Sequence, residues 1–185
     1  MTGTVLVADD HPLFRQALRL AVEKILPEAS IVEAGTLATA VAAATAAPDL
    51  RLILLDLKMP GATGYSGIAL LHAECPDVPI LVVSSAEGAA AADEARAFGA
   101  IGFLHKGSDL GAIEAAVAAA IGRRPAPRSP APDSATETIR ETVASLTPTQ
   151  LKVLLAVLDG QLNKQIAHNL GISEATVKAH MTAIM

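Results

Sequence analysis

Tryptophan is absent from this 185-residue chain, and its only aromatic residues are one tyrosine and three phenylalanines. That scarcity excludes an aromatic platform on which nucleic-acid bases stack. A single cysteine, Cys75, excludes an intrachain disulfide framework and a zinc site built from thiolates. No stretch approaches about 18 uninterrupted apolar residues, so no transmembrane helix is expected. The opening MTGTVLVADDHP has no basic segment leading into an apolar one, so a secretory signal is not expected either and the cytosol is the expected compartment. Charged residues are few at 18% and apolar ones reach 51%, which excludes a disordered chain.

What the chain has instead is alanine: 38 residues, with a mean hydropathy of +0.43. Small side chains predict helices packed closely on their neighbours. The length suits one large domain or two modest ones. The formal net charge of −5 is unevenly spread. Residues 1–122 carry seven Lys/Arg against fourteen Asp/Glu, a net −7, whereas 123–146 and 147–185 are each +1. An acidic front and a weakly basic rear predict different partners for the two parts.

Short runs rich in Val, Ile and Leu at 4–8, 30–34, 51–55, 79–83 and 101–104 each predict a buried strand. Between them Pro12–Leu26, Thr36–Ala47, Tyr65–Glu74, Glu87–Phe98 and Ser108–Ile121 have helical length and pattern. Pro12 suits a first turn, Ser108 an N-cap, and Gly99 and Gly122 the points where helices stop. This alternation predicts an α/β domain over 1–122, a five-stranded, doubly wound parallel sheet covered on both faces. Residues 123–146, with four prolines between Pro125 and Pro132, predict a linker in which Ile139, Val143 and Leu146 are spaced for a short helix over 135–146. Residues 147–185 predict a small all-α unit of three helices. Thr147 caps the first, whose apolar face is Leu151, Leu154, Leu155 and Leu158. Asn163 caps the second, which runs to Leu170; Gly171 turns the chain, and Ser173–Glu174 begins the third.

In an open parallel sheet, chemistry gathers beyond the carboxyl ends of the strands. There the sequence places Asp9 and Asp10 after the first strand, Asp56 after the third, Ser84 and Ser85 after the fourth, and Lys106 after the fifth. The first and third strands are neighbours in such a sheet, so three carboxylates converge. Their repulsion predicts either that one is protonated or that a cation sits among them, and all-oxygen ligation with room for water suits Mg²⁺. Lys106 and Ser84 offer that cluster a charge and a hydroxyl suited to phosphate oxygens. Asp56 follows a fully apolar strand and precedes the MPG turn at Met59–Gly61, which makes it the candidate nucleophile toward phosphorus and the seat of an aspartyl-phosphate. Taken singly, the DD pair reads as a solvated turn, the serine as a cap and Lys106 as surface charge; their joint order along four strand ends points to phosphoryl chemistry. DDHPLF has neither a Gly-rich phosphate loop nor the second aspartate of a DxD pattern, which argues against a phosphatase or nucleotide enzyme on the same fold.

DDH at 9–11, DLKMPG at 56–61, VVSSA at 82–86 and GFLHKG at 102–107 resemble the receiver domain of bacterial two-component response regulators. LTPTQLKVL at 146–154 and GQLNKQIAHNLGISEATVKAH at 160–180 resemble the LuxR-type helix-turn-helix. Together they resemble the NarL/FixJ family of transcriptional regulators over nearly the whole chain outside the linker. The resemblance implies that Asp56 accepts a phosphoryl group from a sensor histidine kinase. It also implies that Asp10 ligates Mg²⁺ directly and Asp9 through water, with Asp56 and the backbone carbonyl of Lys58 as further ligands. Ser84 matches the hydroxyl that follows phosphorylation, with Ser85 as a competitor; Gly99 and Lys106 lie at family-like spacings from Ser84. Lys106 matches the phosphate-pairing lysine, and Phe103 the switch aromatic, with plain core packing as its other reading.

For the tail, the resemblance implies that the second helix of the motif enters the major groove of double-stranded DNA. Lys178 is the leading contact, with Thr176, Val177, Ala179 and Thr182 on the same helix and Asn163 and Lys164 against the backbone. Thr182 stands where the family is often basic, and His180 is expected to pack or cap. The family continues into a fourth helix that serves as scaffold and dimer surface, so a chain ending at Met185 is expected either to be C-terminally truncated or to lack that helix naturally. A homodimer on activation is expected as well. The expected function is phosphorylation-controlled DNA binding and transcription, with no membrane partner and no turnover beyond self-catalysed phosphoryl acceptance. The alternative is a phospho-receiver that signals by protein contact through a tail that does not bind DNA.

Overall fold

The computed structural model describes residues 3–85, 89–121, 123 and 146–184. Gly122 and the helix expected over 135–146, save Leu146, lie outside them. The chain divides into two compact units, Met1–Ser129 and Pro130–Met185.

In the first unit the order is β1 (Thr4–Ala8), α1 (Pro12–Ile25), β2 (Ser30–Ala34), α2 (Leu37–Ala46), β3 (Leu50–Leu55), α3 (Ser66–Glu74), β4 (Ile80–Ser84), α4 (Ala89–Ala97), β5 (Gly102–His105) and α5 (Leu110–Ala120). The strands form one parallel sheet in the order β2-β1-β3-β4-β5. Alternation along each strand divides the core. Val5, Val7, Leu52, Leu54, Leu81 and Val83 pack under α1 and α5, against Leu18, Val22, Ile113 and Val117. Leu6, Ala8, Ile53, Leu55 and Val82 pack on the other face, with Ala40, Ile68, Leu71 and Ala95 of α2–α4. Helices on both faces explain why the strands read as unbroken apolar runs. Ala21, Ala40 and Ala95 have no exposed surface, so alanine lets helix backbones approach the sheet closely.

Two expectations at this level are corrected. Ser84 is the last residue of β4, paired with His105, rather than a residue after the strand. The cap of α5 is Asp109, whose Oδ1 accepts the Ala112 N–H at 2.8 Å; the Ser108 N–H is still engaged with the His105 carbonyl in the turn after β5. Gly99 stops α4 as expected and has a specific reason to be glycine. Its φ is +109°, and a Cβ there would lie 2.9 Å from the His72 ring.

In the second unit α6 (Pro148–Leu158), α7 (Asn163–Leu170) and α8 (Glu174–Ile184) enclose a small core of Val153, Ile166, Ala167 and Val177. Thr147 caps α6 reciprocally with Gln150. The apolar face of α6 differs from the expected one. Leu151 is buried, but Val153, Ala156 and Val157 face the core, and Leu158 is 73% exposed. The cap of α7 is Leu162 rather than Asn163, which is the first helical residue. Leucine has no acceptor to offer, so Gln165 reaches back to the Leu162 N–H at 2.9 Å, and the Leu162 side chain is left 70% exposed. Leu162→Ser restores a hydroxyl acceptor for the first turn and is expected to stabilise this unit by about 1 kcal/mol. Its thermal midpoint should rise; a fall would mean that Leu162 covers apolar surface that serine leaves wet.

Candidate functional site

The sheet order puts the ends of β1 and β3 side by side, with Ala8 paired to Leu55 and the Asp56 N–H donating to the Ala8 carbonyl at 2.8 Å. Asp9 and Asp56 therefore leave neighbouring strands at one level, at the point where successive connections diverge to opposite sides. Both are 1% exposed. Ligand atoms of Asp9, Asp10, His11 and Asp56 all lie within 4.8 Å of one another. The Lys58 N–H donates to Asp56 Oδ1 at 3.1 Å, fixing the start of the loop that follows β3.

Lys106 enters the cluster from β5. Its Nζ donates to Asp56 Oδ2 at 2.8 Å and lies 2.7 Å from Asp9 Oδ2. Burial works against the ammonium, but the contacts with Asp56 and Asp9 outweigh it and hold the Lys106 pKa above the ordinary lysine value. The surface-charge reading of Lys106 is thereby excluded. Two supports of this arrangement were not singled out in the sequence. The Phe14 ring lies 5.0 Å from Lys106 Nζ, an attractive cation–ring contact. Arg15 donates to the Asp9 carbonyl at 2.7 Å and to Glu33 at the end of β2 at 3.0 Å, tying β1 and β2 together. The scarcity of aromatics was the available signal for Phe14; nothing local marks Arg15.

Beside the cluster opens a cleft of about 570 Å³, lined among others by Asp10, Lys58, Met59, Tyr65 and Ser84. Ser84 is fully buried at its edge, and its carbonyl accepts the Lys106 N–H at 2.9 Å; Ser85 is exposed. Phe103 is half-buried, paired across the ladder with Val82 and packed against the core on the α4 side. Tyr65 stacks on Phe98 at a centroid distance of 5.5 Å. Its phenol pKa is raised by burial and by Glu94.

In the tail, Gly171 adopts φ +66° and the Ile172 N–H returns to the Ala167 carbonyl, which ends α7 and sets the angle at which α8 leaves. Ser173 caps α8 through the Thr176 N–H at 3.1 Å. Lys178, Ala179 and Thr182 form an exposed stripe, and Lys164 is exposed on α7. Thr176 and Asn163 are half-buried, Thr176 being bonded to the Ser173 hydroxyl. Val177 is a correction: it is fully buried against α6 and α7 and has no surface to offer DNA. His180 is half-buried.

A family model for the response regulator receiver domain matches residues 5–118, and one for bacterial regulatory proteins of the luxR family matches 144–185. The chain is 32% identical to the transcriptional regulatory protein FixJ of Azorhizobium caulinodans, covering 97% of this chain and 82% of FixJ. The chain belongs to the NarL/FixJ family of response regulators. The regulator is also 36% identical to the glycerol metabolism activator of Pseudomonas putida, with 98% of this chain and 87% of that protein covered. Its first unit is similar to the receiver domain of the response regulator NarL of Mycobacterium tuberculosis, with a TM-score of 0.54 at 35% identity over 66% of this chain and 98% of that one. Relatives that match along both units are transcriptional regulators, so the tail belongs to a LuxR-type DNA-binding domain and the protein-docking reading is not favoured. Among the described residues, no helix of the regulator is long and apolar enough to cross a membrane.

Proposed function

We propose that the regulator takes a phosphoryl group onto Asp56 from a phosphohistidine of a sensor kinase and, so charged, controls transcription by binding double-stranded DNA in the cytoplasm. The observation that carries this reading is a buried Asp56 carboxylate held by Lys106 beside two further carboxylates at the rim of an open cleft. The step is a transfer: the N–P bond of the donor breaks, an Asp56 Oδ–P bond forms, and the imidazole leaves with a proton. Lys106 would pair with the incoming phosphoryl oxygens, and Ser84 and Phe103 would carry the change toward the α4 face.

The donor set fits a divalent cation. Asp9 Oδ2 and Asp10 Oδ1 are buried oxygens that no donor reaches in hydrogen-bond alignment, and carboxylates are hard ligands. Asp10, Asp56 and the Lys58 carbonyl would hold Mg²⁺ directly, with Asp9 acting through water. When bound, the ion neutralises charge on the phosphoryl oxygens.

Residues 1–122 then form the receiver, 123–146 the connection and 147–185 the DNA-binding part, acting as a homodimer on activation. The exposed stripe of α8 would face the major groove, with Lys178 foremost, Ala179 and Thr182 beside it, Thr176 at its start, and Asn163 and Lys164 against the backbone. A salt titration of DNA binding, with and without a phosphoryl donor, tests this. Binding should tighten on phosphorylation, and Lys178→Ala should weaken it while lowering the salt slope by about one. Equal binding in both phosphorylation states would sink the reading; an unchanged slope in the variant would move the phosphate contact off Lys178.

A further inference from the structure

One member of the acidic cluster has no part in the phosphoryl transfer. The His11 N–H donates to Asp9 Oδ1 at 2.8 Å, which pins the residue to the rim at the start of α1. Its ring then reaches over the carboxylates: Nδ1 lies 2.6 Å from Asp10 Oδ1 and 3.3 Å from Asp9 Oδ1. From the opposite side, Lys106 Nζ holds Asp9 Oδ2 and Asp56 Oδ2. Each oxygen of the buried Asp9 thus faces a nitrogen, and the Lys106 ammonium offsets part of the mutual repulsion of the three carboxylates.

We propose that His11 is an internal competitor for the divalent-cation site, its imidazole lying against the Asp10 and Asp9 oxygens that an incoming cation needs. The proposal rests on the reading of Asp9, Asp10 and Asp56 as that site. Mg²⁺ demands near-octahedral oxygen geometry at about 2.0–2.1 Å and keeps several waters, so it competes for the space beside Asp10 Oδ1 that the His11 ring nitrogen, 2.6 Å away, takes up. The ring has to swing off before the site fills. It is free to do so without disturbing Asp9, because its side chain is 66% exposed while the backbone N–H makes the anchoring bond. Lys106 differs: it is 15% exposed, and the phosphoryl group supplies it with a new partner. His11 has none, so its hold on the cluster acts against the cation alone and sets the concentration at which the site fills.

The test is a calorimetric titration of Mg²⁺ into the full chain at fixed pH and ionic strength. It compares the wild type with His11→Ala and with His11→Phe, which keeps a ring but loses the nitrogens. Fluorescence of Tyr65, the sole tyrosine and a residue of the cleft, gives a second readout. Both variants should bind Mg²⁺ about threefold to fivefold more tightly, the upper range for releasing a solvent-exposed polar contact. Unchanged binding overturns the proposal. Weaker binding overturns it too, making the imidazole a supporting group around the metal. Tightening in His11→Ala alone would assign the effect to bulk and not to the nitrogen. If Asp10→Asn leaves wild-type binding intact, or the wild type does not bind Mg²⁺, the cation-site reading itself fails and this inference falls with it.

Discussion

Asp56→Asn should reduce acyl-phosphate formation to background when the regulator is incubated with Mg²⁺ and a small phosphoryl donor. The wild type should take one phosphoryl group, labile to mild alkali as a mixed anhydride is. An amide has neither the charge nor the lone-pair availability of the carboxylate that attacks phosphorus. The substitution is nearly isosteric, and its single amide oxygen keeps one of the two donors, Lys106 Nζ and the Lys58 N–H, that reach separate Asp56 oxygens at 2.8 Å and 3.1 Å, while Lys106 retains its contact with Asp9. It also removes one of three converging negative charges. The fold should therefore survive, with a thermal midpoint at or above that of the wild type. Full labelling of the variant would sink the assignment and send the search to Asp9 or Asp10. An unfolded variant would show instead that the Lys106–Asp56 pair holds this end of the sheet together.

Val177→Asp should unfold the tail and leave the first unit intact. Val177 has no exposed surface and sits among the apolar side chains of Val153, Ile166 and Ala167. An uncompensated carboxylate there costs about 3–5 kcal/mol, a large fraction of what a domain this small can supply. Helical circular dichroism should fall in part, and the remaining thermal transition should be that of the receiver. DNA binding should vanish with the fold. By contrast Lys178→Ala, one residue on, should leave the fold intact and change only affinity, because Lys178 is exposed. If Val177→Asp keeps its helicity and merely weakens DNA binding, Val177 faces the groove and the orientation of α8 is wrong.

These two neighbours show where the sequence is silent. T-V-K on an amphipathic helix does not say which residue turns inward, since the choice depends on where α6 and α7 lie. The α6 run LKVLLAVL has the same ambiguity. Four leucines offer a plausible stripe, yet Val153, Ala156 and Val157 take the core and Leu158 is left in water. Caps were misplaced by a single residue wherever two candidates adjoin. Ser108 beside Asp109 and Leu162 beside Asn163 differ only in where the preceding turn ends. The strands and their order were legible because burial on both faces leaves long apolar runs that allow few alternatives.

The acidic cluster was legible for a related reason. Asp9 and Asp56 directly follow two such runs and Lys106 follows the fifth strand, and a parallel sheet puts the strand ends at one level. That the front half is acidic, nearly free of aromatics and rich in alanine, and that a distinct small helical tail follows it, are properties of the sequence alone. Periodicity and composition act locally, and they need no partner to be read. The tertiary structure decided the contacts made at a distance: Phe14 beneath Lys106, Arg15 bracing Asp9, Tyr65 on Phe98, and His11 leaning over Asp10. Each depends on the angle at which one element meets another, which packing sets and no residue encodes by itself.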